Sequence, residues 1–283
     1  MPEQDKDKDK DKEKDKDKKK PVRWLNPASG YLTGYAYTLN PYVGCTFGCS
    51  YCYVRRMPIA LFKASPWGEW VEPKRFEADS FRREWRRAIA KGGVTVFMSS
   101  ATDPYQPAEH QEKLTRRLLE VMAEEPPQFL LLQTRSPLVL RDIDVLSRLG
   151  ERVRVSMTVE TDLETVRKAL TPFAPPLAGR LRAIRELRQA GIQVQAAVSP
   201  LLPCSEAFPE LIASSVERVV VDDFFRGDGS GGKRSAQLKM ADRYRELGEE
   251  ARYTPETADA FVQALKAVMP SESVYFGQEG FLP

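Results

Sequence analysis

The chain is poor in the residues that announce most common chemistries: 283 residues hold one histidine, four cysteines and no apolar run near 18 residues. Without such a run there is no membrane-spanning helix, and no apolar stretch at the N-terminus can serve as a secretory signal. A reducing cytoplasm is therefore the expected location. Three of the four cysteines fall within eight positions, a spacing that suits a shared ligand and excludes a disulfide framework linking distant segments. The formal charge of +3 is too weak to mark a nucleic-acid binder by its field alone. The glycines of "FFRGDGSGGKRS" lack phosphate-loop spacing and read as a flexible loop. No internal repeat at a fixed period is present.

Residues 1–20 alternate acid and base, with nine lysines against eight acids, and bury too little to offset the entropy of ordering. They should form a disordered, solubilising tail; a DNA-tethering reading would rest on Lys18, Lys19 and Lys20. The basic stretches at 81–91 and at Arg116–Arg117 read as solvated helix faces, with phosphate contact as the alternative. Beyond the tail, short apolar runs at 36–43, 93–99, 128–134, 152–159, 192–198 and 217–222 read as strands. Helical patterns lie between them at 79–91, 108–124, 137–149, 177–190 and 206–214, and Gly191 is a suitable helix stop. Six strands with intervening helices imply a barrel or part of one, with chemistry where strands end and loops begin. Domain organisation is expected as the tail at 1–20, a barrel at 21–225 and a C-terminal helical extension at 226–283 packed on it, with the aromatics of "SVYFGQEGFLP" docking on the barrel.

The stretch "GCTFGCSYCYVRR" places Cys45, Cys49 and Cys52 at CxxxCxxC spacing. Three thiolates leave a structural zinc site one ligand short. His110 lies 58 residues beyond Cys52 in a helical pattern and is a poor fourth ligand. A 4Fe–4S cube held by three cysteines has one iron free to bind something else.

This arrangement resembles the radical S-adenosylmethionine (SAM) superfamily, in the branch related to spore photoproduct lyase and labelled DNA repair photolyase-like. The likeness is carried by "NPYVGCTFGCSYCYVRRMP", "SSATDPYQPAE", "QTRSPLVLRDIDVL" and "SMTVETDLETVRKALTPFAPPLAGRLRAIRELRQAGI", in that order. It implies an α/β fold, a partial (β/α)6 TIM-like barrel whose cysteine loop follows the first strand. It also implies a 4Fe–4S cluster on Cys45, Cys49 and Cys52, with SAM on the free iron. Reductive cleavage of SAM to a 5'-deoxyadenosyl radical for hydrogen abstraction would follow, with the electron from a flavodoxin- or ferredoxin-type donor. The substrate is then damaged DNA or, alternatively, a peptide, protein or small metabolite. A non-enzymatic electron carrier is the reading from another class, and the strand-end polar clusters argue against it because a carrier needs no SAM pocket.

The resemblance also nominates residues. Tyr51 would pack near the adenine, while Ser99, Ser100, Thr102 and Asp103 occupy the stretch that meets the SAM amino group in many members. Asp103 reads equally as a cap or turn residue before Pro104. Arg135 and Ser156 align with lyase residues near SAM, against ordinary scaffold roles; Glu160 and Arg180 are weaker candidates of the same kind. Ser100 stands where the lyase carries its hydrogen-donating cysteine, and a hydroxyl does not substitute for a thiol there. Tyr51 and Tyr53 match the tyrosines that help return the hydrogen. Cys204, after the fifth strand, is the candidate replacement donor or a substrate-side ligand, with an inert packed thiol as the bland alternative.

Overall fold

Successive side chains on a strand face opposite ways, and the strand Phe129–Thr134 shows what the alternation does here. Leu130 and Leu132 join the large core under the helices, whereas Phe129 and Leu131 point to a second, smaller cluster inside the curved sheet. The same division separates Val96 and Met98 from Phe97, and Val219 and Val221 from Val220. A sheet apolar on both faces must be covered on both, which is the condition for parallel strands wrapped by helices. The computed structural model describes residues 22–226 and 230–283. The tail expected at 1–20, and three residues of the glycine-rich loop, lie outside these.

Eight strands form the main sheet in the order β1-β2-β5-β6-β7-β8-β9-β10. They are β1 (Asn26–Pro27), β2 (Tyr37–Leu39), β5 (Thr95–Met98), β6 (Phe129–Thr134), β7 (Val153–Thr158), β8 (Gln193–Val198), β9 (Val219–Val221) and β10 (Val274–Phe276). Only β1 pairs antiparallel, with β2; all other pairings in this sheet are parallel. β3 (Tyr42–Gly44) and β4 (Val71–Pro73) form a separate antiparallel pair. The six strands expected from the sequence thus build a partial TIM-like barrel. Helices Ala78–Ile89, Leu114–Glu124, Ile143–Leu149, Leu177–Gln189, Phe208–Ser215 and Pro255–Val268 contribute their apolar faces to the outer core, through residues such as Leu118, Ile184, Ile212 and Phe261. Among the described residues no helix is long and apolar enough to cross a membrane.

Three departures from the sequence reading have local causes. The single strand expected at 36–43 is two, because Pro41 has no N–H to donate to a ladder. Asn40 takes over there: its Oδ1 accepts from Ser100 N at 3.0 Å and Ala101 N at 2.8 Å, so a side chain continues the β2–β5 pairing while the backbone leaves the sheet. The helix expected at 108–124 is broken at Lys113, which adopts a left-handed φ of 49°. The buried Glu109 carboxylate stabilises the break by accepting Thr115 N at 2.8 Å and the Tyr42 hydroxyl. Finally, the C-terminal segment is not helical throughout. It adds β10 to the sheet and then turns inward, where Phe281 packs with Tyr35, Phe97 and Val220. Gly280 permits this approach, since a Cβ there would meet Val220 Cγ2 at 2.3 Å.

Candidate active site

The C-terminal ends of the parallel strands open into a cavity of about 490 Å³. Its lining includes Cys45, Cys49 and Cys52 together with the strand-end residues Ser99, Ser100, Thr102, Asp103, Gln133, Arg135, Ser199 and Asp222. The cysteine loop begins at Gly44, where φ is 89°. It is clamped to the loop after β5: Gln106, fully buried, donates to Gly44 O at 3.2 Å and accepts from Thr46 N at 3.0 Å. Thr102 Oγ1 also donates to Gly44 O, at 2.6 Å. Arg55 closes the loop from below, through Nε to Cys49 O at 2.8 Å and a second nitrogen to Gly48 O at 2.6 Å. Gly48 and Gly68 touch back to back, so a Cβ on Gly68 would meet Gly48 Cα at 2.9 Å.

Burial pushes all three thiols upward, Cys52 to about 11, and Asp103 adds to the rise at Cys45. Such thiols ionise when a cationic centre is bound to them. Among the described residues no three His, Cys, Asp or Glu side chains are grouped to hold a single metal ion. Three thiols leave a structural zinc site, which closes with four protein ligands, one ligand short. A 4Fe–4S cube held by three cysteines keeps one iron free for a ligand, and the three thiols line one cavity.

Behind that wall lies a buried charge network. Glu160 pairs with Arg135 and Arg180 and accepts from the Tyr51 hydroxyl. Arg135 also donates to Tyr51 Oη at 2.9 Å. Burial alone would raise the Glu160 carboxyl, but the two guanidinium groups and Tyr51 hold it down to about 2. Asp103 accepts Tyr105 N at 2.8 Å, Thr134 Oγ1 at 2.7 Å and Arg135 N at 2.9 Å. It therefore ties the loop after β5 to the end of β6, and burial raises its carboxyl despite these bonds.

The radical SAM superfamily profile matches residues 39–203. The chain belongs to that superfamily. Radical SAM proteins use a 4Fe–4S cluster and SAM, and the three cavity-lining thiols fit the first. The buried Ser99 Oγ and Gln133 Oε1, which line the same cavity without a hydrogen-bond partner, leave polar capacity for a ligand. The uncharacterised protein MJ0683 of Methanocaldococcus jannaschii is 33% identical over 185 residues, 65% of this chain and 66% of that protein. The uncharacterised ORF301 of Acidianus two-tailed virus is 30% identical over 203 residues, 67% of this chain and 65% of that one. The aligned segments thus span just under two thirds of these relatives. Among solved structures, spore photoproduct lyase complexed with dinucleoside spore photoproduct superposes with TM-score 0.63 at 14% identity, covering 91% of this chain and 79% of the lyase. Streptococcus suis SuiB bound to its precursor peptide SuiA gives TM-score 0.54 at 14% identity, over 84% and 48%. At that identity the likeness is one of fold.

Within this radical SAM barrel the nominated residues fall into two groups. Cys45, Cys49, Cys52, Tyr51, Tyr53, Ser100, Asp103 and Arg135 all line the cavity. Ser156, Glu160 and Cys204 do not. Ser156 sits one layer down in the barrel interior, its Oγ accepting from Gln195 Nε2 at 3.0 Å. Glu160 stands behind Tyr51 and Arg135. Cys204 packs against the outer core instead of facing the cavity, with its thiol pushed up to about 12 by burial. The sequence reading passed over Gln106 and Arg55, although both lie inside quoted stretches, and over Asp222, which reads as the last residue of a strand.

Proposed function

We propose that this chain is a radical SAM enzyme that abstracts hydrogen from an organic substrate held at the strand ends, with a small molecule, peptide or protein as its substrate class. The observation that carries this reading is the convergence of three thiols and unpartnered strand-end polar groups on one cavity. When bound, the cluster with SAM supplies one-electron reductive cleavage and a 5'-deoxyadenosyl radical, the electron coming from a flavodoxin- or ferredoxin-type donor. Cys45, Cys49 and Cys52 hold the cluster. Arg135 and Asp103 would receive the SAM carboxylate and ammonium, and because each is already oriented by its own partners, little reorganisation would accompany binding. Trp67, Phe97, Phe224 and Phe281 line the cavity with apolar surface that keeps water from a reactive intermediate. Tyr53, whose hydroxyl bonds Ser100 O, stands in the lining as the group able to return a hydrogen.

A DNA-lesion substrate is the second reading, favoured by the lyase-like fold over 91% of the chain and by the Tyr51–Tyr53 pair. Against it, Ser100 stands in place of the donor thiol and Cys204 does not reach the cavity. Extruding a dinucleotide also calls for phosphate contacts at the mouth. The test is release of 5'-deoxyadenosine from SAM by reduced, anaerobically reconstituted protein. Slow release without substrate, unchanged by irradiated DNA, is expected. No release at all removes the enzyme reading, and release stimulated by irradiated DNA promotes the second.

A further inference from the structure

Asp222, at the C-terminal end of β9, lines the cavity and is only 4% exposed. Its Oδ2 accepts from Tyr31 Oη at 3.3 Å and Ser199 Oγ at 3.5 Å, and its Oδ1 from Asp223 N at 2.9 Å. Both hydroxyl contacts are long against the usual 2.7–2.8 Å for such bonds. Among the described residues no lysine or arginine pairs with this carboxyl, whereas neighbouring Asp223 is paired with Arg226. The other charged side chains of the cavity are engaged elsewhere: Arg135 with Glu160, Asp103 with three donors. A buried carboxyl left without a cation is costly, and proteins retain one where a ligand completes it.

A second observation points the same way. Ser99 Oγ, on a residue 4% exposed, lines the same cavity and has no partner. The Tyr31 and Ser199 hydroxyl oxygens both lie within 3.5 Å of Asp222 Oδ2, so three oxygens are gathered at one place. A primary ammonium carries three donors and no acceptor, and three oxygens about one point match it. The aromatic side chains of Tyr31, Phe97 and Phe281 line the same cavity and supply apolar surface for the carbon chain of such a ligand.

We infer that Asp222, Tyr31 and Ser199 form the substrate end of the cavity and receive a primary ammonium group of the substrate. The inference rests on the radical-enzyme reading above for the word substrate, but not for the binding itself. It assigns the substrate class as an amine, from a lysine side chain or a small amine metabolite, and not as a phosphate backbone. The carboxyl is raised to about 7, chiefly by burial and then by the charge of Asp223, with Tyr31 and Ser199 bonding the ionised form. Ammonium binding should therefore strengthen as pH rises through 7.

The test titrates reconstituted protein anaerobically with n-butylammonium, n-butanol and butyrate, and measures SAM affinity in the same samples. The wild type should bind butylammonium about tenfold more tightly than butanol, the scale of one charge-assisted hydrogen bond. Asp222→Asn should abolish that preference and Tyr31→Phe should reduce it. A pentapeptide with one lysine among glycines binding more tightly than butylammonium points to a protein side chain, and the reverse order to a metabolite; both support the triad. Equal binding of amine and alcohol, preference for butyrate, or loss of SAM affinity in Asp222→Asn would overturn it. A wild type that fails to bind SAM while still preferring the amine sinks the enzyme reading and leaves the triad standing.

Discussion

At the Tyr51 end, Arg135 and Tyr51 in the cavity lining and Glu160 and Arg180 behind it share charge-assisted bonds; at the Asp222 end, in the lining itself, the carboxyl has two long hydroxyl contacts and, among the described residues, no cation. Both ends bury a carboxyl, yet one carboxyl is held down to about 2 and the other is raised to about 7. The difference lies in the partners, since desolvation raises both. A wall complete in itself can hold a constant cofactor in fixed geometry. A wall left incomplete gains its last partner only from a ligand, and that is how a common barrel is adapted to a particular substrate.

The contrast can be broken most severely at the thiols. Replacing Cys45, Cys49 or Cys52 by Ala should take iron from about four per chain to nearly none, whereas Cys204→Ala should leave the iron content of reconstituted protein intact, because that thiol lies outside the cavity. Iron analysis and the cluster absorbance read both. Equal loss at Cys204 would contradict its placement.

The paired end should fail next. Glu160→Gln leaves Arg135 and Arg180 buried without their counter-ion, a change on the order of 3–5 kcal/mol in denaturant unfolding. Because the folded pKa of Glu160 is depressed, its stabilisation is complete above about 4.5 and is lost as pH falls toward about 2. The gap between wild type and Glu160→Gln should therefore narrow across that acid window and nowhere else.

The unpaired end should respond in the opposite sense and by less. Its carboxyl is raised from 3.8 to about 7, so the penalty of ionising it builds across that interval and is complete above it. Asp222→Asn should raise the Tm at pH 8 and have little effect near pH 4. A variant less stable than wild type at pH 8 would mean that the Tyr31 and Ser199 contacts outweigh the buried charge.

Much of this was legible before any coordinates. The CxxxCxxC stretch carries its chemistry in its own spacing, and six β-branched apolar runs located the parallel strands to within a few residues. What escaped depended on partners distant in sequence. Glu160 meets Arg180 across 20 residues and Tyr51 across 109, so its charge reads locally as a solvated strand end. Asp222 follows "VVV" and looks like the polar stop of a strand; its surroundings come from Ser199, 23 residues away, and Tyr31, 191 residues away. The break at Lys113 was hidden for a similar reason, since Glu109 and Tyr42 impose it against a continuous helical pattern. β1 and β10, two and three residues long, are too short for any periodicity to show.

The inward turn of the C-terminal segment ties the shape of the cavity to a distant part of the sequence. Tyr35 donates to Phe281 O across 246 positions, and Phe281 lines the cavity against Tyr31, four residues from Tyr35. The thiol loop is held by distant chain as well, since Phe47, Cys49 and Tyr51 pack with Leu202, Phe224, Met240 and Tyr244. Phe281→Ala would therefore take away one wall of the cavity, so the width of ligand the barrel admits is set by a turn remote in sequence from the cysteines.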